Sequence, residues 1–314
     1  MNVALLFPGQ GSQAAGMADP WTAHDAGRAV LDQASEAIGR DLVEGCRDEA
    51  LLATTEFAQP ALLACDVAAF RVLEAAGVRF GAAAGHSLGE FAALVAAGAL
   101  DLRDALEVVG VRGRAMQKAS EERPGAMSAL IGLGTEEVAE ICAEEARGEV
   151  LVVANENAPT QVVVSGTPAA VGRAELAAKA RGARAIRLAV AGAFHSALMQ
   201  PAVEPIRSAL AAVEIRTARI PVVANVTGEP VEDASEIRKL LERHVISPVR
   251  WERSMRWFAD SGFEVLVEAG PGQVLSRLAA RQLTGVRALA VGTPTQAAEV
   301  ARLEAERGPG KERA

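Results

Sequence analysis

The sequence predicts an α/β protein in which a large domain built on a parallel sheet carries a smaller inserted subdomain. Three observations carry that expectation. Short buried-strand patterns alternate with longer helical ones in both the N-terminal and C-terminal parts of the chain. The stretch Gly85-His86-Ser87-Leu88-Gly89-Glu90 marks an abrupt strand-to-helix junction. Between Gly125 and Val190 the elements follow the order β-α-β-β-α-β, the split βαβ or ferredoxin-like pattern. The larger domain is therefore expected to comprise residues 1–124 and 191–314, and the inserted subdomain residues 125–190.

Composition narrows the classes of function. A chain of 314 residues, 50% of them hydrophobic, can bury a large core. The net charge of -8 argues against a nucleic-acid binder. Cys46, Cys65 and Cys142 are far apart and form no Cys-x-x-Cys pair, so neither a disulfide framework nor a zinc site is indicated, and no metal is expected. The apolar start, Met1 to Phe7, is too short to span a membrane and lacks the flanks of a signal peptide, so a soluble cytoplasmic protein is expected.

Taken in order, Asn2 to Phe7 reads as a buried strand running into the loop Pro8-Gly9-Gln10-Gly11-Ser12-Gln13. The loop lacks the Gly-Lys-Ser/Thr ending of a phosphate loop. It is either a plain βα turn or a source of backbone N–H donors, with that of Gln10 the candidate. Residues 25 to 76 are helical in pattern, broken between Asp41 and Glu49, with a run from Gln59-Pro60 to Ala76 that stops at Gly77.

The stretch from Val78 to Ala84 then leads into the Gly85 to Glu90 motif, and Phe91 to Leu100 leads out as a helix. A G-x-S-x-G sequence in that setting is the context of a nucleophile elbow of the α/β-hydrolase type. Its glycines permit a cramped turn that lifts Ser87 to the tip and brings the Leu88 and Gly89 N–H groups near the hydroxyl. A glycine-rich turn with a capping serine accounts for the same residues.

Asp101 opens a helix reaching to about Lys118. On it Ala105, Val108, Val109, Arg112 and Met116 share one apolar face, whereas Arg114 falls on a polar one. An inward-facing arginine must be paired, because an unpaired buried guanidinium costs several kcal/mol. Its partner is either an internal carboxylate or the carboxylate of a ligand.

In the insert, strands are expected at Ala126 to Leu133, Val150 to Ala154, Gln161 to Ser165 and Ala183 to Val190. Asn155 to Pro159 forms a turn, and helices fall at Glu136 to Ala146 and Pro168 to Ala180. Directly after it comes Gly192-Ala193-Phe194-His195. The chain has four histidines, and His195 is the one placed at a subdomain border where a helix opens. A helix N-terminus favours a neutral imidazole able to accept a proton. A core or capping histidine fits the same position. Further strands are expected at Ile220 to Val226, Glu264 to Glu268 and Val286 to Val291, and the tail from Gly308 is expected to be disordered.

Five stretches in this order, Phe7 to Gln13, Gly85 to Glu90, Arg112-Gly113-Arg114-Ala115-Met116-Gln117, Gly192 to His195, and Glu268-Ala269-Gly270-Pro271-Gly272, resemble the malonyl-CoA:acyl carrier protein transacylases over nearly the whole chain. The resemblance implies an α/β-hydrolase-like large domain with an inserted ferredoxin-like subdomain. It implies Ser87 as nucleophile, His195 as general base and acid, and Arg112 as the clamp for the free carboxylate of the malonyl group. Gln10 and Leu88 match the positions whose N–H groups form the oxyanion hole. Phe194 matches a position where a bulky aromatic goes with malonyl rather than α-methyl substrates. The family orients its histidine with a main-chain carbonyl, which the Pro-x-x-Trp segment assigns to Arg250. Where other members have glutamine at that position, only a main-chain role carries over.

The implied reaction moves malonyl from malonyl-CoA to the phosphopantetheine thiol of an acyl carrier protein, without a cofactor, in a protein expected to be a monomer. Lys179, Arg184, Arg187, Arg277 and Arg281 are candidates for a local basic patch facing the carrier. The alternatives are a trans-acting acyltransferase of a polyketide synthase, a serine hydrolase acting on carrier-bound acyl groups, and a non-enzymatic docking module. Intact Ser87 and His195 disfavour the last, and Arg112 disfavours a hydrolase of neutral acyl chains.

Overall fold

A computed structural model describes residues 2–190 and 192–307. The tail expected to be disordered lies outside them. The first half of the chain supplies β1 (Val3–Phe7), the helices α1 (Asp25–Ile38), α2 (Leu42–Gly45), α3 (Glu49–Leu52) and α4 (Thr55–Ala75), then β2 (Ala82–Gly85), α5 (Gly89–Ala96) and α6 (Leu102–Glu122). The insert supplies β3 (Ala126–Ile131), α7 (Thr135–Glu145), β4 (Leu151–Ala158), β5 (Gln161–Gly166), α8 (Pro168–Ala180) and β6 (Arg184–Arg187). The chain then returns through α9 (Gln200–Ala212), β7 (Val222–Val223), β8 (Pro230–Val231), α10 (Ala234–His244), α11 (Trp251–Asp260), β9 (Val265–Ala269), α12 (Val274–Gln282), β10 (Arg287–Val291) and α13 (Pro294–Arg307).

Two sheets result, as the alternation of patterns requires. The larger has the order β10-β9-β1-β2-β7-β8 and is parallel except for β8, which pairs antiparallel with β7. Its central strands β1, β2 and β9 are buried along their whole length, which suits their unbroken small and apolar composition. The second sheet has the order β4-β5-β3-β6, antiparallel throughout, with its own apolar cluster against α7 and α8. That order is the one a β-α-β-β-α-β unit gives when its two crossovers interleave. Among the described residues no helix is long and apolar enough to cross a membrane.

The structure departs from the expected elements at several places, and two of the changes, in α4 and β4, shape the site. Helix α4 begins at Thr55, ahead of the expected start, because the Thr54 hydroxyl caps the Phe57 N–H; it runs through Pro60, which removes a single helical donor. Gln59 therefore lies inside a helix whose sides are almost all buried. Helix α6 extends past Lys118 to Glu122. Strand β4 continues through the expected turn at Asn155 to Pro159 by two register shifts, which leaves Pro159-Thr160 as the turn and puts Asn155 and Asn157 on the strand. By contrast, the strand expected over Ile220 to Val226 is only two residues long, and β8, which sequence reading missed, pairs with it.

The two sheets are joined where the site lies. Asn155 of β4 pairs in parallel with Val249: the Val249 N–H donates to the Ala154 carbonyl and the Glu156 N–H to the Val249 carbonyl, each at 2.8 Å. The segment between α10 and α11 is thereby fixed against the inserted subdomain.

Candidate active site

Register places the site at the C-terminal ends of two neighbouring strands. Phe7 of β1 lies opposite Gly85 of β2, and the His86 N–H donates to the Phe7 carbonyl at 2.9 Å. A Cβ on Gly85 would meet the Gly89 carbonyl carbon at 1.9 Å, so the first glycine of the motif exists to let the fifth approach it. The Pro8-Gly9-Gln10 loop closes over the elbow just as tightly, since a Cβ on Gly9 would lie 2.3 Å from the His86 carbonyl oxygen.

At the tip Ser87 takes φ +50°, the left-handed region that non-glycine residues enter at a cost of about 1–3 kcal/mol. His195 does the same at φ +58°. The two strained residues meet: Ser87 Oγ lies 2.9 Å from His195 Nε2. His195 Nδ1 faces the carbonyls of Ser247 at 2.9 Å and His244 at 3.2 Å. Both partners are acceptors only, so Nδ1 carries the proton and Nε2 is left as the base toward Ser87. This corrects the expectation that the Arg250 carbonyl orients the histidine. Arg250 precedes α11 and its carbonyl already accepts from the N–H and hydroxyl of Ser254, so it is committed to that helix; Ser247, three residues earlier, passes the imidazole instead.

Arg112 is buried at 1% exposure on the face the helical spacing assigned, with Ala105, Val108, Val109 and Met116 also buried, whereas Arg114 is exposed. Its Nη2 donates to Ser87 Oγ at 3.1 Å and its Nη1 to Gln59 Oε1 at 2.6 Å. The guanidinium also lies 6.0 Å from the centre of the Phe91 ring. Its Nε has no partner, and among the described residues no carboxylate oxygen comes within 4.0 Å of it. Of the two partners the sequence left open, the internal carboxylate is thus absent at contact distance. Glu90 is the nearby acid that acts on it, from further away.

Burial disfavours the charged form of each group in the site. Burial, followed by the positive charge of Arg112 and then His86, pushes the His195 imidazole down to about 3, against the pull of its two carbonyl partners. Burial pushes Arg112 down to about 10, opposed by Glu90. Burial likewise pushes the Glu90 carboxyl up to about 7, opposed by the Asn225 N–H and Arg112. His244 is held well below its ordinary value by burial and then by Arg112. Its Nε2 lies 3.5 Å from Glu90 Oε2, which with an uncharged imidazole is a weak polar contact and not an ion pair.

Gln10 lies in the loop after β1, and Leu88 directly follows Ser87. Among the described residues neither backbone N–H has a protein acceptor, whereas the Ser87 N–H is taken by Asn225 Oδ1 at 2.7 Å. The Gln10 side chain reaches Thr55 Oγ1 at 3.4 Å. Phe194 is buried immediately before His195, at the edge of the main core. His86 Nε2 bonds Asn157 Oδ1 of β4 at 2.8 Å, tying the elbow to the inserted subdomain. A wide cleft between α1, α4 and α6, lined by Arg40, Arg103 and Arg114, contains none of Ser87, His195 or Arg112.

Sequence reading missed Gln59, Asn225, His244 and the Ser247 carbonyl. The available signal was polarity out of place: Gln59 heads an apolar helical run, and Asn225 follows the apolar stretch Pro221-Val222-Val223-Ala224.

The acyl transferase domain family matches residues 4–303. The malonyl CoA-acyl carrier protein transacylase of Haemophilus influenzae is 43% identical over 296 residues, 92% of this chain and 94% of that protein. The enzyme of the same name from Bacillus subtilis is 39% identical over 302 residues, 93% and 94% of the two chains. A malonyl-transacylase solved in complex with its type II PKS acyl-carrier protein superposes with TM-score 0.93 at 38% identity, covering 96% of this chain and 100% of that one. With a serine, a histidine and a buried arginine meeting at the junction of its two sheets, this chain belongs to the acyltransferase family of the malonyl CoA-acyl carrier protein transacylases.

Proposed function

We propose that this protein transfers the malonyl group of malonyl-CoA to the phosphopantetheine thiol of an acyl carrier protein, through a malonyl ester on Ser87. The observation that carries the reading is the Arg112 guanidinium: buried, without a carboxylate in contact among the described residues, and 3.1 Å from Ser87 Oγ. A substrate carboxylate bound there completes its pairing and sets the thioester carbonyl beside the nucleophile.

The chemistry runs in two halves. His195 Nε2 takes the Ser87 hydroxyl proton as Oγ bonds to the thioester carbon, and the oxyanion is held by the Gln10 and Leu88 N–H groups. The C–S bond then breaks, His195 returns the proton to the departing sulfur, and coenzyme A leaves. In the second half His195 accepts the proton of the carrier thiol while its sulfur attacks the ester. The C–O bond to Ser87 breaks and Oγ recovers the proton. No metal or cofactor enters either half. The protein works as a monomer in the cytoplasm and supplies extender units for fatty acid synthesis. Service to a polyketide carrier is the second reading, favoured by the similarity to a transacylase solved with such a carrier.

Intact-mass analysis after incubation with malonyl-, methylmalonyl- and acetyl-CoA tests the proposal. The expected result is a malonyl adduct on Ser87, discharged by holo carrier protein and absent from Ser87→Ala. An adduct on another residue, or equal loading from acetyl-CoA, would sink it.

A further inference from the structure

The elbow is held from behind by one side chain outside the dyad and the clamp. Asn225 follows β7 and is fully buried. Its Oδ1 accepts the Ser87 N–H at 2.7 Å and its Nδ2 donates to the Gly85 carbonyl at 2.6 Å, so one amide spans the turn from the end of β2 to the nucleophile. Its backbone N–H donates to Glu90 Oε2 at 3.0 Å, and its carbonyl accepts from the Arg250 N–H at 2.8 Å. The same residue thus also holds the first turn of α5 and the segment that presents the Ser247 carbonyl to His195.

We propose that Asn225 is a positioning residue for acyl transfer: it locks Ser87 in its left-handed conformation with Oγ between His195 and Arg112, and leaves the Leu88 N–H as the elbow's donor to the oxyanion. The assignment rests on Ser87 being the nucleophile. An amide is suited to the place because it presents a donor and an acceptor on adjacent atoms at every pH. The titratable groups facing it are Glu90 from α5 and His244 from the end of α10, whose Nε2 lies 3.5 Å from Asn225 Oδ1.

The test compares wild type, Asn225→Ala and Asn225→Asp in two readouts, malonyl loading and labelling of Ser87 by a fluorophosphonate, from about pH 5 to about pH 8. Alanine leaves both elbow groups unpaired and should lower kcat for loading about 10²-fold, with labelling falling in parallel, the cost typical of a misplaced reacting group. KM for malonyl-CoA should stay within about threefold, because Arg112 and Gln59 stand on other elements and uniform binding is untouched. Aspartate discriminates a positioning role from a structural one. Ionised, it accepts from Ser87 but cannot donate to Gly85; protonated, it does both. Activity and labelling of Asn225→Asp relative to wild type should therefore recover as pH falls, while the ratio for Asn225→Ala stays flat.

A folded Asn225→Ala with wild-type kcat, an Asn225→Asp deficit that does not change with pH, or the failure of both variants to fold would overturn the assignment. Wild-type protein that labels at Ser87 but takes no malonyl group would defeat the substrate reading instead, and the labelling series would still decide the role of Asn225.

Discussion

Arg112 donates through Nη1 to Oε1 of Gln59 at 2.6 Å, so a cation buried beside Ser87 is held by a neutral amide. The amide fixes the direction of the guanidinium without neutralising it, which leaves the charge for a substrate. Arg112→Ala should therefore lower malonyl loading at least ~10²-fold, since hydrogen bonds to charged groups contribute ~1.5–3 kcal/mol each and 1.36 kcal/mol is a factor of ten. Acetyl loading should be unchanged or improved. Gln59→Glu tests the same relationship from the other side: an internal carboxylate would occupy the guanidinium, depressing malonyl loading and sparing acetyl. Single-turnover rates with both thioesters check the pair of variants. Equal losses for the two substrates would make Arg112 a structural residue.

The pH dependence follows from the depressed His195. In the proposed reaction the neutral imidazole is the base, and its folded value of about 3 lies well below the ordinary one, first through burial and then through Arg112. Loading kcat/KM should therefore show no inflection near pH 6.5, and its acid limb should appear well below that. Removing the Arg112 charge relieves one cause of the depression, so the acid limb of acetyl loading should move to higher pH in Arg112→Ala.

Stability follows the same group. The unfolded chain would protonate this histidine below about pH 6.5 and the folded chain would not, so the stability it contributes is present above pH 6.5 and is lost as pH falls toward the folded value. Glu90, raised to about 7, acts in the opposite sense: its contribution is present below its unfolded value and is lost as pH rises through 7. Melting temperatures against pH for wild type and Glu90→Gln separate the two, and the variant should lose the component above about pH 5.

How much of this was legible in the sequence depends on where each contact partner sits in the chain. Ser87 was legible because the elbow is local: the glycines that permit its geometry stand two residues to either side. Arg112 was legible because helical periodicity alone puts it on the apolar stripe of α6. Its partner was not, since the choice between an internal carboxylate and a ligand depends on Gln59, which comes from another helix and is 53 residues away. The Arg250 expectation failed for a related reason. A carbonyl has no sequence signature, and which of several consecutive carbonyls meets His195 is decided by the pairing of Val249 with β4, a contact between the two sheets. Asn225, 138 residues from Ser87, was invisible on the same ground.

Phe194 sets a prediction about the α-carbon of the acyl group. The ring is buried and adjoins His195 in the chain, and the proposed role for it is to fill the space that a branched acyl chain would need. Phe194→Leu should raise methylmalonyl loading relative to malonyl with a modest loss of stability, because a residue of intermediate size leaves a smaller cavity than alanine, for which ~3–5 kcal/mol is typical. Competition between the two thioesters, read as the ratio of adducts by mass, checks it. A ratio unmoved by the substitution would place the selectivity elsewhere.

The carrier must find an acidic protein, so its docking depends on local charge. Of the expected basic positions, Arg187 is engaged by Glu175 at 2.7 Å, which weakens its claim. Arg277 and Arg281 are better placed. They stand one turn apart on α12, both exposed, next to Val274, which is 49% exposed, and among the described residues neither has a carboxylate within ion-pairing distance. Helix α12 is itself anchored at the site end, because buried Glu268 accepts the N–H groups of Leu275 and Ser276 in its first turn. An acidic carrier helix lying along that face would meet two guanidinium groups without an ion-pair partner among the described residues, and an apolar side chain on a rigid support. Charge reversal at both arginines should raise KM for holo carrier protein about tenfold or more at low salt, with the difference shrinking as salt is added. KM for malonyl-CoA and the rate of Ser87 loading should not change. An equal rise in KM for malonyl-CoA would mean that the arginines hold the coenzyme instead of the carrier.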